Sequence, residues 1–151
     1  QVDEALALAP DVMEEIIYDS VVIKAGIVNR DEREAGERRK LNFGHTLGHA
    51  IEKTLGVSHG QAVTAGMAAA ARLSVQKGFL SESGADRLTR LLTAMGLPVS
   101  LPADPSALCN ALARDKKRRH DEIWFVLLSG IGSSLVAPVA LTELEQFLMA
   151  P

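Results

Sequence analysis

The sequence predicts a mainly α-helical protein, a multi-helix bundle-like domain that carries one small β-hairpin. Apolar residues make up 47% of the 151 residues, but aromatic residues make up only 4%. A core must therefore be built mainly from Leu, Val, Ile and Ala, which favours packed helices over a sandwich of sheets. Apolar residues also recur at helical spacing through most of the chain. A chain of this length is sufficient for one domain, residues 1–151, with a hydrophobic core.

The first part of the chain is predicted to hold two helices. Residues 2–9 form a short helix ended by Pro10, and Asp11 is placed to cap the helix that follows. Apolar residues keep helical spacing along that second helix at Val12, Ile16, Ile17, Val21 and Val28. Lys24 falls on or near this stripe, so periodicity alone indicates a lysine at the edge of the core whose amine reaches solvent.

A polar break at residues 31–36 precedes a helix predicted over residues 38–55, and Gly56 suits its C-terminal end. Ser58 is expected to cap the next helix, which runs to about Lys77. The middle of this helix is rich in alanine, which permits close packing against a neighbour.

The second half of the chain is predicted to hold shorter elements. Helices are expected over residues 81–96 and 105–115, with Pro at the first position of the latter. Residues 123–139 break the helical period and form two extended runs around a glycine-containing turn, which indicates a hairpin. Thr142 and Glu145 have the spacing of a capping box for a last helix.

Composition narrows the classes of function. The net charge of −3 gives no support to nucleic-acid binding, and the single cysteine, Cys109, permits no internal disulfide, which fits a reducing cytoplasmic setting. No apolar run approaches the roughly 20 residues of a membrane span, and no secretory signal is seen. Because the chain starts at Gln1 in a helix-like pattern, we expect it to be a piece of a longer protein.

The most informative segment is residues 41–52, LNFGHTLGHAIE. His45 and His49 lie four residues apart and so project from one face of a helix. Two glycines with the same spacing leave room for another backbone or a ligand on that side. Glu52 follows one turn later, and His59 begins the next predicted helix. Imidazoles and a carboxylate brought together from adjacent helices are what a divalent metal such as zinc requires.

Spacing alone leaves several assignments open. His45 and His49 could both bind metal, or one could bind metal while the other handles protons, and either could be a core histidine. His59, taken alone, fits a capping residue at a helix start, and His120 is expected to be solvated.

Two groups of cations indicate an anion site. The run 114–119 is strongly basic and fits either a solvated loop or a site for phosphate or carboxylate. Nucleic acid is disfavoured because no aromatic residue is interleaved for stacking. Cations also occupy positions 38–40, where they oppose the dipole of the histidine helix and would be relieved by a bound anion. Asn42, one helical turn after Arg38, could join the same site.

The chain resembles a known family, the 3-dehydroquinate synthases. The resemblance is carried by segments in matching order and approximate spacing, namely DEREAGER at 31–38, LNFGHTLGHAIE at 41–52, HGQAV at 59–63, GLP at 96–98 and DKK at 115–117. The GHTxGHAIE core is highly specific, and the match is to the C-terminal, helical, metal-binding domain.

The resemblance implies a lyase that uses NAD and zinc or cobalt. Members convert 3-deoxy-arabino-heptulosonate 7-phosphate to 3-dehydroquinate and phosphate in the shikimate pathway of aromatic amino-acid biosynthesis. It further implies a cytoplasmic homodimer whose NAD is bound mainly by an N-terminal domain that lies outside this chain, so the chain alone is expected to have no turnover.

Residue by residue, the resemblance makes His45 and His59 metal ligands and His49 a catalytic, proton-handling group near the substrate. A further glutamate ligand lies upstream of this chain in the family, and Gln61 stands where the family usually has glutamate. The residues implied to hold the substrate's carboxylate and phosphate are Lys24, Arg38, Asn42, His49 and Lys116 or Lys117.

Three rival functions remain open at this stage. The nearest is another sugar phosphate cyclase that makes a cyclitol or an amino analogue. A second is a non-catalytic helical module that binds anions or nucleic acid through residues 114–119, and a third is a degenerate domain kept for oligomer contacts.

Overall fold

A computed structural model describes residues 1–33, 36–100, 103–114 and 122–150. It confirms a mainly α-helical fold with one two-stranded antiparallel hairpin. The elements are α1 (Val2–Leu6), α2 (Pro10–Arg30), the 3₁₀ helix η1 (Glu37–Asn42), α3 (His45–Leu55), α4 (His59–Gln76), α5 (Glu82–Ala94), α6 (Pro105–Ala113), β1 (Glu122–Gly130), β2 (Ser133–Ala140) and α7 (Leu141–Met149).

Helix α4 is the centre of the core. It contacts α3, α5 and β1, and α6 and α7 close the core around the hairpin. Its alanines let these neighbours approach closely, as the alanine-rich sequence predicted. The largest fully buried apolar side chains come from six different elements and are Leu47, Leu73, Leu112, Ile123, Phe125, Leu127, Val139 and Leu144.

Glycines bring α3 and α4 into backbone contact. A Cβ atom on Gly66 would collide with the carbonyl oxygen of Gly44 and lie 2.8 Å from the amide nitrogen of Gly48. A Cβ on Gly48 would lie 3.0 Å from Cα of Val63. The sequence left open whether a backbone or a ligand uses the room beside these glycines, and the structure shows that the backbone of α4 does.

Polar contacts tie α4 to the hairpin and to α7. The hydroxyl of Ser74, which is fully buried, donates to the carbonyl of Ala70 at 2.7 Å and accepts from the amide of Leu128 at 2.9 Å. Near the end of α4, Nζ of Lys77 lies 2.6 Å from a carboxylate oxygen of Glu143. The hairpin is therefore held on α4 by side-chain bonds as well as by apolar packing.

Most predicted boundaries are confirmed, but three details are wrong. The helix predicted over 38–55 is divided at Gly44, which adopts φ +81° where its backbone meets α4. The part before Gly44 is the 3₁₀ helix η1, and α3 begins after it. Asp11 is not a cap, since α2 already begins at Pro10. Helix α7 begins at Leu141 without a side-chain cap, so Thr142 lies inside it and the predicted capping box does not form.

Helix α2 differs from the others in its surroundings. None of its 21 residues is buried, so Lys24 does not lie at the edge of a core in the described chain. In the described ranges, no helix combines the length and the apolar character needed to cross a membrane.

Candidate functional site

Three histidines meet where α3 and α4 begin. His45 is the first residue of α3, directly after the left-handed Gly44, and His49 follows one turn later. Their ring centroids are 5.6 Å apart. The ring of His59 lies 5.4 Å from that of His45 and 5.9 Å from that of His49. Imidazoles from two helices thus converge on one place, while their individual roles stay predictions.

Local sequence signals fix the backbone of His59. Gly56 ends α3 with φ +64°, which turns the chain back towards the start of α4. Ser58 then caps α4 in a capping box, in which its hydroxyl accepts from the amide of Gln61 and the side chain of Gln61 accepts from the amide of Ser58. Gln61 therefore has a structural role, and His59 is held as the first residue of the helix.

A carboxylate joins the histidines. Glu52 lies three residues after His49 on α3, and its Oε2 is 3.1 Å from Nδ1 of His59. One nitrogen each from His49 and His59 and one oxygen of Glu52 lie within 4.8 Å of one another. The side chains of His59 and Glu52 are 54% and 38% exposed, so this side of the cluster is open. The sequence pointed to Glu52 through its helical spacing as the carboxylate of a candidate metal site, but the family resemblance assigned it no role.

The donor chemistry of this cluster fits a divalent metal such as zinc or cobalt. Nδ1 of His45 lies 3.2 Å from the carbonyl oxygen of Phe43, which can only accept a hydrogen bond. Nδ1 of His59 likewise faces a carboxylate. Each ring must then carry its proton on Nδ1, which leaves the lone pair of Nε2 for a cation. Neutral imidazoles in this tautomer are the form in which histidine binds zinc.

The consecutive cations of η1 have different partners. The backbone amide of Arg38 donates to the carboxylate of Asp31 at 2.9 Å, and its guanidinium donates to the carbonyl of Glu32 at 2.9 Å. Arg39 lies over the ring of Trp124 at 5.9 Å, which turns it towards the hairpin. These contacts distinguish Arg38 from Arg39, although both lie at the predicted entry of the histidine helix.

An ion-pair group joins α2 to η1. Arg30 donates two hydrogen bonds to the carboxylate of Glu37, at 2.9 and 3.1 Å. The pairing lowers the pKa of Glu37, mainly through the hydrogen bond from Arg30. Nζ of Lys40 lies 3.9 Å from the same carboxylate. Glu37 therefore partly neutralises the cations at this end of α2.

The remaining predicted substrate residues are spread over the fold. Lys24 is exposed on α2, and Asn42 is the last residue of η1. In a 3₁₀ helix, residues four apart point about 120° apart, so Arg38 and Asn42 are not stacked one turn apart as an α-helix would place them. Lys116 and Lys117, with the rest of 115–120, lie outside the described residues.

Comparison with known proteins identifies relatives of this chain. The family model described as 3-dehydroquinate synthase C-terminal matches residues 1–118. A 3-dehydroquinate synthase of Dehalococcoides mccartyi is 45% identical over 146 residues, which is 91% of this chain and 41% of that protein. One from Halorhodospira halophila is 45% identical over 142 residues, or 89% of this chain and 40% of that protein. The chain thus spans about two fifths of the length of these relatives.

Solved structures of sugar phosphate cyclases share the fold. A 2-deoxy-scyllo-inosose synthase, complexed with carbaglucose-6-phosphate, NAD⁺ and Co²⁺, matches with a TM-score of 0.80 and 28% identity, over 92% of this chain and 42% of that one. A 2-epi-5-epi-valiolone synthase from Streptomyces hygroscopicus subsp. jinggangensis, with NAD⁺ and Zn²⁺ bound, matches with a TM-score of 0.82 and 25% identity, over 98% of this chain and 44% of that one. The family model and the sequence relatives show that the chain belongs to the 3-dehydroquinate synthase family, where it matches the C-terminal part.

Proposed function

We propose that this chain supplies the metal- and substrate-binding part of a 3-dehydroquinate synthase. The complete enzyme would convert 3-deoxy-arabino-heptulosonate 7-phosphate to 3-dehydroquinate and phosphate in the shikimate pathway. The convergence of His45, His49 and His59, with ring centroids 5.4–5.9 Å apart, is the observation that carries this proposal. The 45% identity to curated 3-dehydroquinate synthases supports the choice of reaction.

In this proposal His45 and His59 hold the metal through Nε2, which their Nδ1 contacts leave available. A metal bound there supplies a Lewis acid that makes a substrate hydroxyl easier to deprotonate. His49, whose ring lies beside both proposed ligands, takes up or returns protons of the substrate.

The substrate carries a carboxylate and a phosphate, so several cations must surround it. We assign this binding to Lys24, Arg38, Asn42 and one lysine of the pair Lys116 and Lys117. The contact of the Arg38 guanidinium with a backbone carbonyl supports this assignment, because that contact places no anionic side chain on the guanidinium.

The proposed partner is an N-terminal NAD-binding portion of the same protein, because more than half of each relative's length lies outside the match. The apolar side chains that α2 exposes support such a partner. We further propose that the complete enzyme is a cytoplasmic homodimer that uses NAD for transient oxidation of the substrate.

The proposal can be tested with a chimera in which the unmatched N-terminal portion of the Halorhodospira halophila relative is fused to this chain. With substrate, NAD and zinc, we expect this chimera to release 3-dehydroquinate and phosphate in equal amounts, whereas the chain alone releases neither. Alanine at His45 or His59 should reduce turnover by at least about a hundredfold and weaken zinc binding. Glu82→Ala, which removes an exposed carboxylate on α5, is the control. A chimera that binds zinc and substrate without turnover would contradict the proposal.

A second candidate is another sugar phosphate cyclase, since both structural neighbours described above belong to that group. The same chimera separates the two candidates when it is supplied in parallel with the heptulosonate phosphate and with hexose or other heptulose phosphates. Turnover of one of the latter alone would favour the second candidate.

A further inference from the structure

We propose that Glu52 is a positioning residue whose carboxylate holds His59 in the Nδ1–H tautomer and so presents Nε2 of that ring to the metal. This inference rests on the proposed function, in which His59 is a metal ligand. The proposed function gives Glu52 no role, because it makes His45 and His59 the metal ligands and His49 the proton-handling group.

The geometry sets the direction of the hydrogen bond. Nδ1 of His59 lies 3.1 Å from Oε2 of Glu52. An ionised carboxylate only accepts hydrogen bonds, so the proton of this contact belongs to the imidazole. A neutral imidazole with its proton on Nδ1 has its lone pair on Nε2, which points away from the carboxylate.

His59 needs such a constraint because its surroundings supply little else. The capping box fixes the backbone at the start of α4 through hydrogen bonds between Ser58 and Gln61. The side chain of His59 is 54% exposed, so packing restricts its rotation less than it would restrict a buried ring. Glu52 belongs to α3, and its contact therefore also ties the ring to the helix that carries the other two histidines.

The second proposed ligand shows the same arrangement with a different acceptor. Nδ1 of His45 lies 3.2 Å from the backbone carbonyl of Phe43. Both proposed ligands thus have an oxygen acceptor on Nδ1, one from the backbone and one from Glu52. Partners of this kind orient metal-binding imidazoles and raise their basicity.

Glu52 as a direct ligand is the competing role. One of its oxygens lies within 4.8 Å of nitrogens of His49 and His59, which is close enough for a shared ion. The two roles differ in the effect of Glu52→Gln, because the amide oxygen of glutamine still accepts from Nδ1–H but is a poor ligand for zinc.

The first measurement is the tautomer of His59, read from the ¹⁵N chemical shifts of the metal-free chain at about pH 8, above the usual titration range of imidazole. We expect Nδ1–H in the wild type and in Glu52→Gln, and a shift towards Nε2–H in Glu52→Ala. His45 is an internal control whose tautomer should not change, and Glu82→Ala removes an exposed carboxylate on α5. An Nε2–H tautomer in the wild type, or no change in Glu52→Ala, would overturn the proposal.

The second measurement is the affinity for zinc and the coordination of Co²⁺ by X-ray absorption. We expect Glu52→Ala to bind zinc about 10–100-fold more weakly and Glu52→Gln to lose clearly less. Equal losses in both variants, with one oxygen fewer around Co²⁺, would show that Glu52 is a ligand and overturn the positioning role. If the chimera has no turnover but its His59 tautomer still depends on Glu52, the proposed function is refuted and the effect of Glu52 on the tautomer is not.

Discussion

Helices α2 and α4, with 21 and 18 residues, are the two longest helices of the described chain, and their surroundings are opposite. Helix α4 buries all six of its alanines and is enclosed by α3, α5 and β1. Helix α2 buries nothing, although it carries larger aliphatic side chains. Its exposed large hydrophobic side chains are five aliphatic ones and Tyr18, namely Ile16, Ile17, Tyr18, Val21, Val22 and Ile23.

The difference shows that burial depends on whether a neighbour can approach, not on how apolar a helix is. Gly66 and the alanines of α4 admit the backbone of α3. On α2, Ile16 and Tyr18 point about 160° apart at 3.6 residues per turn, so the apolar surface extends around the helix. Apolar side chains exposed on more than one side of a helix are typical of a helix that a larger protein encloses.

The largest expected effect comes from the same substitution in the two helices. Gly66→Ala places a methyl group against backbone atoms of α3, which cannot yield without separating the helices, so we expect a loss of more than about 3 kcal/mol. Gly26→Ala on α2 meets only the end of the Arg30 side chain, at 3.4 Å, and should gain up to about 1 kcal/mol. Urea denaturation followed by circular dichroism measures the free energy of unfolding of each variant. A change of the same sign in Gly66→Ala and Gly26→Ala would contradict the difference between α2 and α4.

A smaller contrast is expected from truncating one large aliphatic residue in each helix. Leu73 on α4 is 0% exposed, and Leu73→Ala should cost about 2–5 kcal/mol. Ile17 on α2 is 57% exposed, and Ile17→Ala should change the free energy of unfolding by about 0.5 kcal/mol or less. Repeating Ile17→Ala in the chimera sharpens the comparison, because a cost that appears only there shows that the N-terminal portion covers α2. Equal costs in the chain alone would contradict the exposure of α2.

The smallest effect concerns the ion pair at the end of α2. The hydrogen bond from Arg30 lowers the pKa of Glu37, so the ionised carboxylate favours the folded state. This contribution is present above the ordinary glutamate pKa of about 4.3 and is lost as the pH falls through the lowered value. We expect amides in the last turn of α2 to exchange faster with solvent, relative to their intrinsic rates, as the pH falls below about 4. Both Glu37→Gln and high salt should remove this dependence, and a persistent dependence in Glu37→Gln would exclude Glu37 as its source.

Elements whose signals are local were predicted well. Ser58 and Ser81 cap α4 and α5, Pro105 begins α6, and Gly56 ends α3 in the left-handed conformation. Each of these signals acts through the backbone of the next few residues, so no distant contact is needed to recognise it. The hairpin was equally visible, because its alternation differs from the helical period.

Predictions that depend on distant contacts were less complete. The division at Gly44 follows from its contact with α4, which residues 38–55 do not reveal by themselves. The hydrogen bond between Glu52 and His59 joins two helices across a tight turn, so spacing indicated a neighbourhood but not which atoms meet.

The sequence by itself determined the helical class, most boundaries, the hairpin and the histidines that carry the family resemblance. It could do so because propensity, capping and periodicity act over a few residues. Only the tertiary structure decided that three imidazoles and a carboxylate meet, that glycines bring α3 and α4 into backbone contact, and that α2 is left exposed. These features depend on how closely separate helices pack, and packing is set by the shapes of both partners together.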